Sequence, residues 1–120
     1  MFQSSFPIVS TTDLPRALAF YRDGLGCEVT YQFPDHGEPV YLSLRLGETS
    51  IGLGADPDAE PASNRFALWV YADDCDQAVE RLVAHGAQVT EEPADQPWGE
   101  RVAQLTDPDG NRLVIGARKP

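Results

Sequence analysis

The side chains best suited to a chemical task in this chain are aromatic rather than nucleophilic. Trp98 sits in Gln96-Pro97-Trp98-Gly99, where a flanking proline and glycine make an indole hard to bury. A rigid, half-exposed ring of this kind stacks on a planar ligand or a partner surface, or else lids the core. Trp69 and Tyr71 alternate with Val70, so with Ala67 they share one strand face, a stacking surface or plain sheet packing. Tyr41, Ser43 and Arg45 share a face of another strand, and Tyr31 and Phe33 belong to the strand before it. Arg45 is either a ligand contact or a solvated edge charge. The carboxylates Asp35, Glu38, Asp56, Asp58, Glu60, Glu91, Glu92 and Asp95 fall in segments that read as loops. Around an aromatic site they would hold a cation; in solvent they are ordinary loop acids.

Other chemistries find little support. No nucleophile elbow, phosphate loop, metal-ligand pair or dinucleotide fingerprint occurs. His36 lies in the polar turn 34–39, and His85 falls at a helix end, where it suits the dipole. Cys27 and Cys75 have no metal or redox spacing and read as reduced, half-buried thiols. Cys75 falls in a first helical turn, a position that favours the thiolate. Asp107-Pro108-Asp109-Gly110 is a turn signal.

The elements that must position these residues come in two copies. Val9, Asp13, Ala17, Leu18, Gly26, Val29 and Thr30 recur as Val70, Asp74, Ala78, Val79, Gly86, Val89 and Thr90. Such a repeat, at about half the chain length, implies paired modules that cover each other's apolar faces. Residues 6–11 read as a first strand, with Pro7 marking an edge or crossing point. Thr12 or Asp13 caps a helix whose stripe is Leu14, Ala17, Leu18 and Tyr21, and Gly24 and Gly26 stop it. Strands follow at 28–33, 40–46 and 50–53, and then a loop at 56–64. The second copy opens with a strand at 66–72, and Asp74 caps a helix with the stripe Cys75, Ala78, Val79, Leu82 and Val83. A strand at 88–90, a loop at 91–99 and strands at 101–105 and 112–115 complete it. The expected fold is α+β: two βαβββ modules, 1–60 and 61–120, related by pseudo-twofold symmetry in a single domain, with mixed curved sheets forming a cleft.

Composition narrows the partners. Nine Lys and Arg against nineteen Asp and Glu give a net charge of −10, which repels nucleic acid and anionic membrane surfaces and attracts small cations. The same acidity also serves solubility. With 42% hydrophobic residues and no run long enough to span a membrane, the chain reads as a soluble globular protein. No secretory signal is evident, so a cytoplasmic location is expected.

The repeated βαβββ order, the segment from Asp13 to Gly26 (with Leu14, Pro15, Arg16, Ala17 and Tyr21), Pro97-Trp98-Gly99-Glu100-Arg101 and Thr106-Asp107-Pro108-Asp109-Gly110-Asn111-Arg112 resemble the vicinal oxygen chelate superfamily. That group includes glyoxalases, extradiol dioxygenases, fosfomycin-resistance enzymes and bleomycin-resistance proteins. The resemblance places the metal ligands of its enzymes at Phe6, near Ala67 with Phe66 beside it, at Val114, and near Ser43 or Arg45. Phe, Ala and Val cannot ligate a divalent ion, and a catalytic site needs about three protein ligands. The expectation is therefore no metal, no cofactor and no catalytic residue.

The bleomycin-resistance branch is the nearer likeness. There a proline like Pro7, after Phe6, lets the first strand cross to a partner subunit, which implies a homodimer with an exchanged arm. The branch's stacking tryptophan corresponds to Trp98, its opposing aromatic to Tyr41, and a tryptophan-rich strand to Trp69 and Tyr71. The function implied is non-catalytic sequestration of a small planar, antibiotic-like molecule in a dimer cleft, a cationic one being favoured by the charge. Tyr31, Phe33 and Arg45 complete the expected ligand-binding set. Two alternatives remain: a metal-dependent glyoxalase- or dioxygenase-type enzyme, and an accessory module that binds a peptide or protein in a biosynthetic pathway.

Overall fold

Each half of the chain is nucleated by an aspartate that caps a short helix. The computed structural model describes residues 1–119. They divide into two compact units, Met1–Glu60 and a second beginning at Pro61.

In the first unit, β1 (Ile8–Thr11) leads into α1 (Leu14–Leu18), which continues as a π-helical segment (Ala19–Gly24). Strands β2 (Glu28–Phe33), β3 (Tyr41–Leu46) and β4 (Thr49–Ala55) follow. The sheet order is β1-β4-β3-β2, with β1 parallel to β4 and the other pairs antiparallel. The strand expected to open at Phe6 opens at Ile8, because Pro7 has no N–H to donate. Its carbonyl still accepts from Gly52 N at 2.8 Å, so the chain is tied to its own β4 from Pro7 onward.

Of the two cap candidates, Asp13 serves: its Oδ1 accepts from Arg16 N at 3.1 Å. Fully buried Thr11 braces the cap, accepting from Asp13 N and donating to Asp13 O, both at 3.1 Å. The helical stripe differs from the 3.6-residue expectation. Leu14, Ala17 and Tyr21 are buried, Leu18 is half-exposed, and Phe20 is fully buried instead. Adjacent Phe20 and Tyr21 both reach the interior where the helix widens, marked by Leu25 N donating to Phe20 O at 3.0 Å, and their rings meet edge to face at 5.1 Å. Leu42, Leu44, Ile51 and Leu53 supply the buried side of the sheet.

The second unit repeats the order: β5 (Leu68–Tyr71), α2 (Cys75–Ala84), β6 (Gln88–Asp95), β7 (Glu100–Thr106) and β8 (Arg112–Arg118). Its sheet runs β5-β8-β7-β6, with β5 parallel to β8. Both sheets are thus mixed and share one strand order, an α+β arrangement of two βαβββ modules. Asp74 caps α2 by accepting from Gln77 N at 3.0 Å. Cys75, Val79 and Leu82 are buried, whereas Val83 faces solvent. Arg101 on β7 grips Asp76 of α2 with Nε at 2.7 Å and Nη2 at 3.1 Å, and also reaches Asp95. The guanidinium holds the Asp76 carboxyl below the usual carboxylate range.

The segment 91–99, expected as a loop, is strand as far as Asp95. β6 is the sheet's edge, where Pro93 can sit without an N–H, and its register shifts twice, between Val89 and Glu91 and between Glu91 and Ala94. Glu91, Glu92 and Asp95 are therefore strand residues, not loop acids. The strand expected at 66–72 is shorter, leaving Ala67 and exposed Phe66 outside it.

Both cysteines are free and more deeply buried than expected. Cys75 Sγ donates to Ile115 O at 3.7 Å, and burial raises its pKa, overriding the helix-terminus effect that would favour a thiolate. Burial likewise pushes the Cys27 thiol up to about 11.

Two outcomes follow. Asp74→Ala should lower the unfolding free energy in urea by about 1 kcal/mol, whereas Asp74→Asn, which keeps a capping oxygen, should leave it nearly unchanged. An aromatic disulfide reagent at pH 8 should modify neither thiol on the time scale of minutes in native protein but both in urea; rapid native labelling would contradict the burial of the thiols.

Candidate functional site

Strand alternation turns Tyr31, Phe33 and Tyr41 in the first unit, and Trp69 and Tyr71 in the second, to the partly exposed face of their sheet. In the first unit, Phe33 pairs directly with Tyr41 and Tyr31 with Ser43, so these four share that face. The Tyr31 and Tyr41 rings are 6.4 Å apart and tilted by 56°. Tyr41 lies across β4: a Cβ added at Gly52 would sit 2.5 Å from the Tyr41 hydroxyl oxygen and 3.1 Å from Ile8 Cγ1. Only glycine there lets the ring lie against the backbone. Ser43 Oγ donates to the Tyr41 hydroxyl at 3.4 Å. Arg45 is on the same strand face, but four residues along β3, about 13 Å away, where it pairs with Glu28 at 2.5 Å. The structure does not bring Arg45 to the Tyr41 ring.

The second unit builds a denser arrangement. Trp69 and Tyr71 stand on one face of β5, their rings 5.9 Å apart. Trp69 lies over β8, where a Cβ at Gly116 would come within 2.9 Å of its ring. Glu100 pairs with Arg118 across β7 and β8, Val102 with Gly116 and Gln104 with Val114, so these residues share the face. Trp98 is 62% exposed, in the turn before β7, yet it is not loose: its Nε1 donates to Glu100 Oε1 at 2.5 Å. The nearby Glu100 carboxylate is the main reason the Tyr71 pKa is raised. The Arg118 guanidinium stacks on the Tyr71 ring at 3.9 Å from its centroid. Farther along, Gln104 accepts from Arg112 Nε at 3.1 Å and Nη2 at 2.9 Å, and donates to Glu91 at 3.1 Å.

The structure thus brings Trp98, Tyr71 and Trp69 into one neighbourhood, and Tyr31, Phe33 and Tyr41 into another on the first unit. Sequence reasoning missed Glu100, Arg118 and the two glycines. Glycine inside a strand was a readable signal for a close approach; the link between Trp98 and Glu100 was not, because it depends on how the turn folds. On the first unit's helix side, a groove of about 620 Å³ lined by Leu14, Pro15, Leu18, Glu38, Val40 and Leu42 holds none of the aromatic residues expected at the site, though one of the candidate carboxylates, Glu38, lines it.

The positions where the resemblance places metal ligands do not fit a divalent ion. Phe6 and Ala67 present only carbon and lie outside the strands, and Val114 is buried at 4% exposure in mid-strand β8. Ser43 offers one neutral hydroxyl and Arg45 a cation already paired. Among the described residues no group of three or more His, Cys, Asp and Glu is placed to hold a metal.

Comparison with known proteins places this geometry in context. The family model described as the Glyoxalase/Bleomycin resistance protein/Dioxygenase superfamily matches residues 6–115. A putative glyoxylase, CFP32, from Mycobacterium bovis is 34% identical over 110 residues, which are 91% of this chain but 41% of that protein. The chain therefore spans well under half the length of that relative. A bleomycin resistance protein from Klebsiella pneumoniae is 26% identical over 122 residues, covering 96% of this chain and 92% of the other. Among solved structures, a glyoxalase/bleomycin resistance protein/dioxygenase family enzyme from Burkholderia phytofirmans superposes with a TM-score of 0.81 at 23% identity, covering 96% of this chain and 98% of its own.

In a Trp98→Phe background, which leaves Trp69 as the sole indole, Gly116→Ala should displace the Trp69 ring and shift its fluorescence to the red. The unfolding free energy should change by no more than about 1 kcal/mol, since the ring is half-exposed and free to move. Unchanged emission would show that the ring does not rest on Gly116.

Proposed function

The chain belongs to the Glyoxalase/Bleomycin resistance protein/Dioxygenase superfamily, and on that premise we propose that it is a binding protein, not a catalyst. It sequesters a small planar, antibiotic-like molecule by stacking, and it does so in the cytoplasm as a homodimer; exchange of the N-terminal arm at Phe6 and Pro7 requires the Gly52 N–Pro7 O hydrogen bond, made here within one chain, to form between copies. The observation that carries this reading is Trp98, an indole largely in solvent whose orientation is nevertheless fixed by a hydrogen bond. An oriented, exposed ring loses little further entropy when a flat ligand stacks on it. Tyr41, held against the sheet over Gly52, offers a second such ring. Each good stack contributes about 0.5–1.5 kcal/mol beyond area burial, so most of the affinity comes from burying the ligand itself. The Klebsiella relative, matched over nearly the whole length of both chains, supports this form of resistance.

A second reading, a glyoxalase-type metalloenzyme, is favoured by the more similar mycobacterial relative, whose name describes a putative glyoxylase. It requires ligands other than the carbon side chains at Phe6, Ala67 and Val114. Metal analysis of purified protein separates the two: stoichiometric, tightly held Ni, Zn, Mn or Fe would favour the enzyme.

Bleomycin and other planar compounds should raise the melting temperature of the wild-type protein. Trp98→Ala should weaken binding of whichever compound does so by about 1–3 kcal/mol while the variant stays folded by circular dichroism. Undiminished affinity in a folded Trp98→Ala protein would remove Trp98 from the site.

A further inference from the structure

Four acidic side chains on the surface are matched to a cation of the chain. Asp23 pairs with Arg22, Glu28 with Arg45, Asp76 with Arg101, and Asp95 with Arg101 and Lys119. Glu100 is different. Its carboxylate receives one neutral donor, the Trp98 indole N–H, and among the described residues no cation lies within ion-pair distance of it. A carboxylate has about four acceptor directions, so the Trp98 N–H leaves it with capacity beside an exposed indole. A planar cation already sits next to it. Arg118 is directly opposite in the sheet register, and its guanidinium lies flat on Tyr71 at 3.9 Å.

We infer that Glu100 is the specificity-determining residue of this aromatic face, selecting planar ligands that carry a positive charge, and that Arg118 is its internal competitor. The inference rests on the stacking role given to Trp98 above. A ring on Trp98 lies beside the carboxylate that orients the indole, so a delocalised cation gains both the π-face and the charge, whereas a neutral ring of equal size gains only the first. The Arg118 guanidinium lowers that gain by its own positive charge. It is exposed at the end of β8.

The test uses two flat dyes of nearly identical shape, cationic N-methylacridinium and neutral N-methylacridone, titrated against the intact protein by calorimetry. Glu100→Gln keeps an oxygen acceptor for the Trp98 N–H and removes only the charge, so indole orientation, read as fluorescence anisotropy of Trp98 in a Trp69→Phe background, stays unchanged. Its Kd for the cation should rise about tenfold, with that for the neutral dye changing by less than about twofold. Arg118→Gln should tighten the cation several-fold and leave the neutral dye alone. Trp98→Ala should weaken both. Equal effects of Glu100→Gln on the two dyes, or none on either, with Trp98→Ala still weakening both, would overturn the role of Glu100 and leave the stacking reading standing. A wild-type protein that binds neither dye would overturn both. Loss of the cation alone in Glu100→Gln, with Trp98→Ala inert, would sink the stacking reading and, with it, selection by a ring stacked on Trp98.

Discussion

Two glycines without side chains decide what the open faces of these sheets can do. At Gly52 and Gly116 a Cβ would collide with Tyr41 and Trp69 respectively, so each strand presents bare backbone on which a ring rests. Such a ring is half in solvent but supported from below. Without that support it would stand away from the sheet and sample several rotamers, and stacking against it would cost the entropy of ordering it. The residues flanking the glycines point the other way, into the core: Ile51 and Leu53 in one unit, Ile115 and Ala117 in the other. The period of two that fills the core is therefore also what exposes the aromatics.

The chemistry of the open faces follows from the residue types placed on them. Phe6, Ala67 and Val114, where the resemblance places metal ligands, present only carbon, and several polar groups of the sheets are paired with one another. Arg112, Gln104 and Glu91 form a chain of hydrogen bonds across three strands of the second sheet, and Arg45 is taken by Glu28 at the far end of β3. What remains is a set of rings and one carboxylate, a surface suited to recognition. Because one scaffold hosts several chemistries, that conclusion rests on these side chains and not on the fold.

Much of the architecture was legible before any coordinates. The spacing of Asp13 and Asp74, with the glycines after each helix, announced two βαβββ modules because capping and helix termination are local events set by neighbouring residues. The departures share a cause as well. The π-helical widening that buries Phe20, the continuation of β6 through Pro93 and the raised thiol pKa of Cys75 depend on what lies across the sheet or under the helix. No window of sequence contains those neighbours.

The sequence by itself determined the order of elements and which residues alternate within each strand, since both follow from periodicity and turn chemistry within a few residues; for Trp98 it left an exposed ring and a core lid open. The tertiary structure alone decided that Trp98 is tied to Glu100 and that Arg118 covers Tyr71. Those contacts are set by strand register and by the path of a turn, which join residues through space with no signature in their separation along the chain.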